Sequence, residues 1–216
     1  MEERINEILS GMERKHGIRI ILAVESGSRE WGFSSEDSDY DVRCVHACPE
    51  ERYISLKEAE EQVNEIYEDG KIDVVSWDVR KFFSLFMKSN PTVSEWLSSR
   101  KVYLDNGFGN YSREDIRKIF EKGFDRERLK KHYLSLAKQN YAKYIQSPGE
   151  VLLKKYVYIL RGLGCMEFIS KTGKLPPLDW KESSVYIPEY IKKKFSDFVR
   201  IKKESESTKA KKRQEN

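Results

Sequence analysis

At 216 residues, 38% hydrophobic and 35% charged, the chain can bury a sizeable core, and no apolar run approaches the roughly 20 residues that a membrane span needs. Three cysteines give no disulfide framework, and Met1-Glu2-Glu3-Arg4 opens without an apolar signal core, so a reducing, cytoplasmic setting is expected. The net charge of +4 hides an asymmetry: residues 1–110 hold 14 Lys and Arg against 22 Asp and Glu, a balance of −8, while residues 111–216 carry +12.

Ile5, Ile8, Leu9 and Met12 recur at helical spacing, which predicts an amphipathic helix over about 3–15 that Gly17 stops. The apolar run Ile18 to Val24 reads as a buried strand. A polar turn follows at Ser26-Gly27-Ser28, and Asp39 to Val45 alternates as a second strand. Residues 46–61 read as a loop with some local structure. Val63–Glu68 and Lys71–Trp77, joined by Asp69-Gly70, predict a hairpin. Val79–Lys88 reads as a helix with Asp78 as its N-cap and Pro91 beyond its end. Thr92 and Glu95 suit a capping box for a short helix containing Trp96 and Leu97. Beyond about residue 110 the pattern is helical, with expected helices at 113–122, 126–145, 149–170 and 186–201. Pro176-Pro177 separates the last two, and the tail from Lys202 has no apolar face. The layout is thus an α/β half followed by a helical half, with a boundary near 105–112.

The chemistry centres on Asp39 and Asp41. Residues two apart on a strand share a face about 6–7 Å apart, so both carboxylates can grip divalent ions from one side. Hard oxygen ligands of this kind suit Mg²⁺, and a pair of such ions stabilises the attacking and leaving oxygens of a phosphoryl displacement. Gly27 and Ser28 end the first strand, where free N–H groups and a hydroxyl can hold phosphate oxygens. Asp73 lies in Ile72-Asp73-Val74-Val75, where a carboxylate is costly unless paired or metal-bound. It is therefore the third expected ligand and a candidate general base. Asp78 competes for that role, but the N-cap reading is preferred for it.

Gly27-Ser28, ten intervening residues, Asp39-Tyr40-Asp41-Val42 and a later strand aspartate resemble the motif of the DNA polymerase β-like nucleotidyltransferase superfamily. The strings Glu25 to Phe33, Ser38 to Arg43, Asp73 to Phe82, Lys88 to Thr92, His132 to Lys138, and Lys154-Lys155-Tyr156 to Leu160-Arg161 are closer still. They resemble a nucleotidyltransferase family assigned to an RNA repair pathway, over about residues 18–170. Ser26 stands where the superfamily usually has an apolar residue. The resemblance implies an α+β fold: a small mixed, palm-like β-sheet domain at 1–110, an all-helical domain at 111–201 that contacts nucleotide and substrate, and a mobile charged tail at 202–216. It implies a nucleoside triphosphate donor, ATP first, with pyrophosphate leaving after attack by a hydroxyl on an RNA end. It also implies two Mg²⁺ ions, with Mn²⁺ as a substitute, at Asp39, Asp41 and Asp73.

Arg29 and Arg43 flank the acids and can meet a triphosphate through a planar fork of donors, or simply balance local acidic charge. By the same resemblance Lys138, Lys155, Tyr156 and Arg161 are candidate nucleotide contacts, against the alternative of solvated helix faces. Trp31, Trp77, Phe82, Phe83 and Phe86 read as packing rather than base stacking. Tyr40 points away from the acidic face. Cys44, His46 and Cys48 lack a fourth ligand and the paired knuckles of structural zinc, so no zinc site is expected. The three histidines, His16, His46 and His132, sit in different settings and suggest no hydrolytic triad. Two other functions remain open: an inactive relative that binds RNA or protein, and an enzyme that adenylylates a protein or small molecule.

Overall fold

The computed structural model describes residues 1–35, 38–56, 60–146 and 153–214. The chain divides into two compact units. One comprises Met1–Gly27, Asp39–Lys88 and Thr92–Gly123; the other comprises Ser28–Ser38, Ser89–Pro91 and Phe124–Asn216.

The first unit is built on a five-stranded mixed sheet. Its strands are β1 (Arg19–Glu25), β2 (Tyr40–Ala47), β3 (Gln62–Tyr67), β4 (Ile72–Asp78) and β5 (Val102–Asp105), in the order β3-β4-β2-β1-β5. β2 and β4 are parallel, and the other neighbours are antiparallel. Helix α1 (Glu2–His16) ends at Gly17, whose φ of 60° is left-handed and whose N–H returns to the Glu13 carbonyl, the cap expected of a glycine there. Its apolar stripe of Ile5, Ile8, Leu9 and Met12 packs on Ile20, Ala23, Val42, Cys44, Val63, Ile72 and Val74, with Tyr40 against the same core. Each side chain of that stripe is 5% exposed or less, and burial on this scale contributes about 1.5–3 kcal/mol per large aliphatic side chain.

The hairpin joins β3 to β4 through Glu68–Gly70, with Glu68, Asp69 and Gly70 all at positive φ. The stretch 46–61 includes the short helix α2 (Glu50–Ile54); its residues 57–59 lie outside the described part of the chain. Helix α3 (Val79–Met87) is capped by Asp78, whose carboxylate accepts from the Arg80 N–H. Helix α4 (Pro91–Ser98) departs from expectation. Pro91 lies beyond the end of α3, as expected, and also opens α4, so Thr92 sits inside that helix instead of capping it. Proline suits that first position because the N–H it lacks would have had no partner. Phe82, Phe83, Phe86, Trp96, Phe108 and Phe120 form one aromatic layer with centroid spacings of 5.0–6.4 Å, and Trp77 stacks on Trp96 at 4.1 Å. These aromatics therefore act as core. Helix α5 (Arg113–Gly123) completes the unit.

The second unit is helical: α6 (Arg126–Tyr144), α7 (Leu153–Thr172), α8 (Trp180–Ser183) and α9 (Glu189–Gln214). Residues 149–152, with which the sequence was expected to open the second of these helices, lie outside the described part. The last helix continues through the charged segment beyond Lys202, which is rich in helix-forming Lys and Glu. The unit also takes in Ser28–Ser38. Phe33 is fully buried with Val157, Trp180, Ile187, Phe195 and Val199, Trp31 packs on Phe33 at 5.7 Å, and the Trp180 N–H donates to the Trp31 carbonyl at 3.1 Å. Among the described residues no helix is long and apolar enough to cross a membrane.

Phe33→Ala should lower unfolding free energy by about 3–5 kcal/mol, the usual cost of deleting a buried aromatic. Denaturant titration measures this, and a midpoint near that of the native sequence would show that the 28–38 segment is not part of the helical core.

Candidate active site

The acidic cluster follows from strand register. In the parallel ladder Asp41 faces Asp73, within an unbroken run from Tyr40↔Ile72 to His46↔Asp78. Alternation puts Val42, Cys44, Ile72 and Val74 into the α1 core and turns Asp41 and Asp73 to the opposite face. Asp39 lies one residue before β2 and is exposed, so strand alternation does not itself orient it, contrary to the expectation that Asp39 and Asp41 share a strand. The ladder with β4 stops at Tyr40↔Ile72.

A single nitrogen of Arg43, Nη2, donates to Asp41 Oδ1 at 2.7 Å and to Asp73 Oδ2 at 2.8 Å. Nη1 donates to the Asp73 and Val42 carbonyls at 2.9 and 3.1 Å. Arg43 thus clamps the two carboxylates together and staples β2 to β4. Burial pushes the Asp41 carboxyl above its ordinary range; Arg43 opposes the shift, and the negative charges of Asp73 and Asp39 reinforce it. The cluster is a charge-strained set of hard oxygen donors in which one cationic nitrogen already bonds two of the three acids. Carboxylate oxygens of this kind are hard donors, the type that divalent cations such as Mg²⁺ prefer.

Gly27 completes the cluster. Its φ is +62°, and a Cβ there would fall 1.9 Å from Asp41 Oδ2, so only glycine lets the backbone lie against that carboxylate. The Ser26 N–H donates to the Asp41 carbonyl at 2.9 Å. Ser28 is 8% exposed, and Arg29 donates to the Ser38 carbonyl at 2.6 Å.

Glu25, at the start of the Glu25 to Phe33 motif, has a structural role that the motif itself does not indicate. It is 2% exposed; its carboxylate accepts from the Asp41 N–H at 2.8 Å and from the Tyr103 hydroxyl, and its carbonyl accepts from Ser99 Oγ at 2.8 Å. It fixes the backbone that carries Asp41. A buried glutamate ending an apolar strand was the signal that could have found it.

The expected contacts of the helical unit occupy separate settings. Lys138 is exposed on α6. Lys155 lies over the Tyr144 ring at 4.0 Å and the Tyr158 ring at 5.6 Å. Tyr156 packs on Phe198 at 5.5 Å. Arg161, 6% exposed, stacks over Trp31 at 4.1 Å.

A mixed sheet carrying a Gly-Ser turn and a paired-aspartate motif, followed by helices, defines a nucleotidyltransferase of the DNA polymerase β type. The whole chain, residues 1–216, matches the RNA repair pathway DNA polymerase beta family (RlaP), and the protein belongs to that family. It is 40% identical over 180 residues to the uncharacterized protein YcgL of Bacillus subtilis strain 168, across 83% of this chain and 67% of that one. It is also similar to the crystal structure of a nucleotidyltransferase-like protein from Exiguobacterium sibiricum 255-15. That match has a TM-score of 0.39 and 13% identity over 95% of this chain and 74% of the other.

Gly27→Ala should displace the Asp41 carboxylate and reduce family-type activity about 100-fold, the scale of a misplacement of about 1 Å; steady-state kinetics would show it. Asp41→Asn should leave the melting temperature at pH 7 equal or higher. A carboxyl whose folded pKa is raised contributes stability below its unfolded value and loses it as pH rises through the folded one. The difference between variant and parent should therefore vanish below about pH 4, as read by melting curves across pH.

Proposed function

We propose that the protein transfers a nucleoside monophosphate from a nucleoside triphosphate, ATP first, to a hydroxyl at an RNA end. The observation that carries the reading is the in-register Asp41–Asp73 pair, with the Gly27 backbone against Asp41.

In this reading Asp39, Asp41 and Asp73 hold two divalent ions, Mg²⁺ by the hardness of the oxygen donors. When bound, such ions neutralise phosphate charge and acidify the acceptor hydroxyl. Asp73 orients that hydroxyl and accepts its proton. The acceptor oxygen bonds to the α-phosphorus, the bond from that phosphorus to the bridging oxygen breaks, and pyrophosphate carries away the electron pair. Gly27 and Ser28 contact the β- and γ-phosphates. Arg43, freed from the carboxylates when cations neutralise them, and Arg29 contact the triphosphate. Lys138, Lys155, Tyr156 and Arg161 contribute further nucleotide contacts. The family's assignment to RNA repair supports an RNA acceptor, and the basic charge of residues 111–216 agrees with it. Rate enhancement would rest on positioning and charge neutralisation.

The test incubates the protein and Mg²⁺ with each α-labelled triphosphate, in the presence of RNA bearing a free 3′ hydroxyl, a protein mixture, or no acceptor. Label should enter RNA, stop with a chelator, and fall by about 100-fold or more in Asp73→Asn, the scale of a lost general base. Undiminished transfer by Asp41→Asn would overturn the assignment of the acids. Label on protein alone would indicate protein adenylylation, and no transfer to any acceptor would indicate a binding module.

A further inference from the structure

The unbroken register that pairs Asp41 with Asp73 also pairs His46 with Asp78. Those two residues differ from the acid pair by an odd number of positions along their strands, so they project to the other face of the sheet. Cys48, two residues past His46 and just beyond the end of β2, joins them. A ring nitrogen of His46, Cys48 Sγ and an Asp78 carboxylate oxygen all lie within 4.8 Å of one another. His46 is fully buried, Asp78 is 1% exposed and Cys48 is 9% exposed.

A second observation singles this cluster out. His46 Nδ1 is hydrogen-bonded to Ser76 Oγ at 2.7 Å, whereas Nε2 is buried with no hydrogen-bond partner. Leaving a buried imidazole nitrogen without a partner is unfavourable. A metal ion that takes up its lone pair would remove that cost. We infer that His46, Cys48 and Asp78 form a metal site, separate from the acidic cluster, for a borderline transition ion, Zn²⁺ in the first instance.

The ligand chemistry supports this choice. Imidazole, thiolate and carboxylate together suit zinc, whereas magnesium and calcium prefer oxygen alone. The groups behind the ligands are arranged to orient them. Ser76 fixes the His46 ring, the Tyr53 hydroxyl donates to Asp78 Oδ2 at 2.7 Å, and the Arg80 N–H donates to Asp78 Oδ1 at 2.8 Å. Such supporting bonds are the usual companions of metal ligands. Tyr53 is itself tied to the ligand loop, because its hydroxyl accepts from the Cys48 N–H at 2.8 Å. Asp78 also borders a cavity of about 540 Å³ whose lining includes Arg52, Tyr53, Glu61, Arg80, Lys81 and Lys88. Three protein ligands leave a fourth tetrahedral position for water. The sequence showed Cys44, His46 and Cys48 two positions apart along the chain but not the third ligand, because Asp78 reaches them only through the β2–β4 pairing. Cys44 packs in the α1 core.

The full-length protein, stripped of metal, should be titrated with Co²⁺ as a spectroscopic stand-in. Expected are a thiolate-to-cobalt charge-transfer band and a tetrahedral visible spectrum that saturate at one ion per chain and are displaced by Zn²⁺. Cys48→Ser should abolish the charge-transfer band while retaining the fold by circular dichroism. Ser76→Ala should weaken affinity about 10–100-fold, the range for a supporting contact. Asp41→Asn should leave the spectrum unchanged, which separates this site from the nucleotidyl-transfer reading. A protein that gives no charge-transfer band, or one whose band survives Cys48→Ser, would overturn the proposal.

Discussion

The parallel pairing of β2 with β4 sets the position of nearly every group that matters. It runs in unbroken register from Tyr40↔Ile72 to His46↔Asp78. Because side chains alternate along a strand, a slip of one residue would reverse each side chain's face. Asp41 would then enter the core and Val42 the acidic cluster. Burial holds the register. Val42 and Cys44 are 0% exposed under α1, and exchanging them for Asp41 and Arg43 would consume a large part of a domain's net stability of about 5–15 kcal/mol. The geometry of the acidic cluster is thus inherited from hydrophobic packing on the opposite side of the sheet.

That packing must withstand electrostatic repulsion. Two carboxylates meet beside a third, one of them partly desolvated, and the protein counters this within the chain. Arg43 bonds both carboxylates. Glu25, itself buried, binds the Asp41 backbone N–H rather than its carboxylate, so it holds that backbone in place without occupying the carboxylate. Tyr103 on the edge strand donates to that glutamate. The arrangement sacrifices some stability to keep acidic groups close together, as expected where function needs like charges in one place.

Much of this was legible in the sequence because it is local. The α1 stripe and its Gly17 stop, the hairpin at Asp69-Gly70 and the Asp78 cap each depend on residues a few positions apart. Gly27 was readable as a close-approach glycine, though not that its neighbour would be Asp41 Oδ2. What escaped was non-local. Strand β5 is only four residues, Val102 to Asp105, too short for a pattern, and it exists by pairing with β1. The meeting of His46 and Asp78 needs a parallel ladder that local periodicity does not encode. Asp78 also shows how assigning one role can hide another: its N-cap function is real, and it leaves the second carboxylate oxygen to Tyr53. Arg43 was readable as a cation near the acids, but not as a strap across two strands.

The placement of Trp31 and Phe33 bears on how this protein can be taken apart. Neither compact unit is a continuous stretch of chain, since the polypeptide leaves and re-enters each one around residues 28–38 and 89–91. A fragment starting near residue 111 would have every long helix of the second unit but would lack the indole and phenyl rings that fill its centre. It would expose an apolar hollow to water and invite aggregation. Dissection of the activities is therefore better done by point substitution than by truncation, and a graft of the helical part onto another scaffold would have to carry the eleven-residue excursion with it.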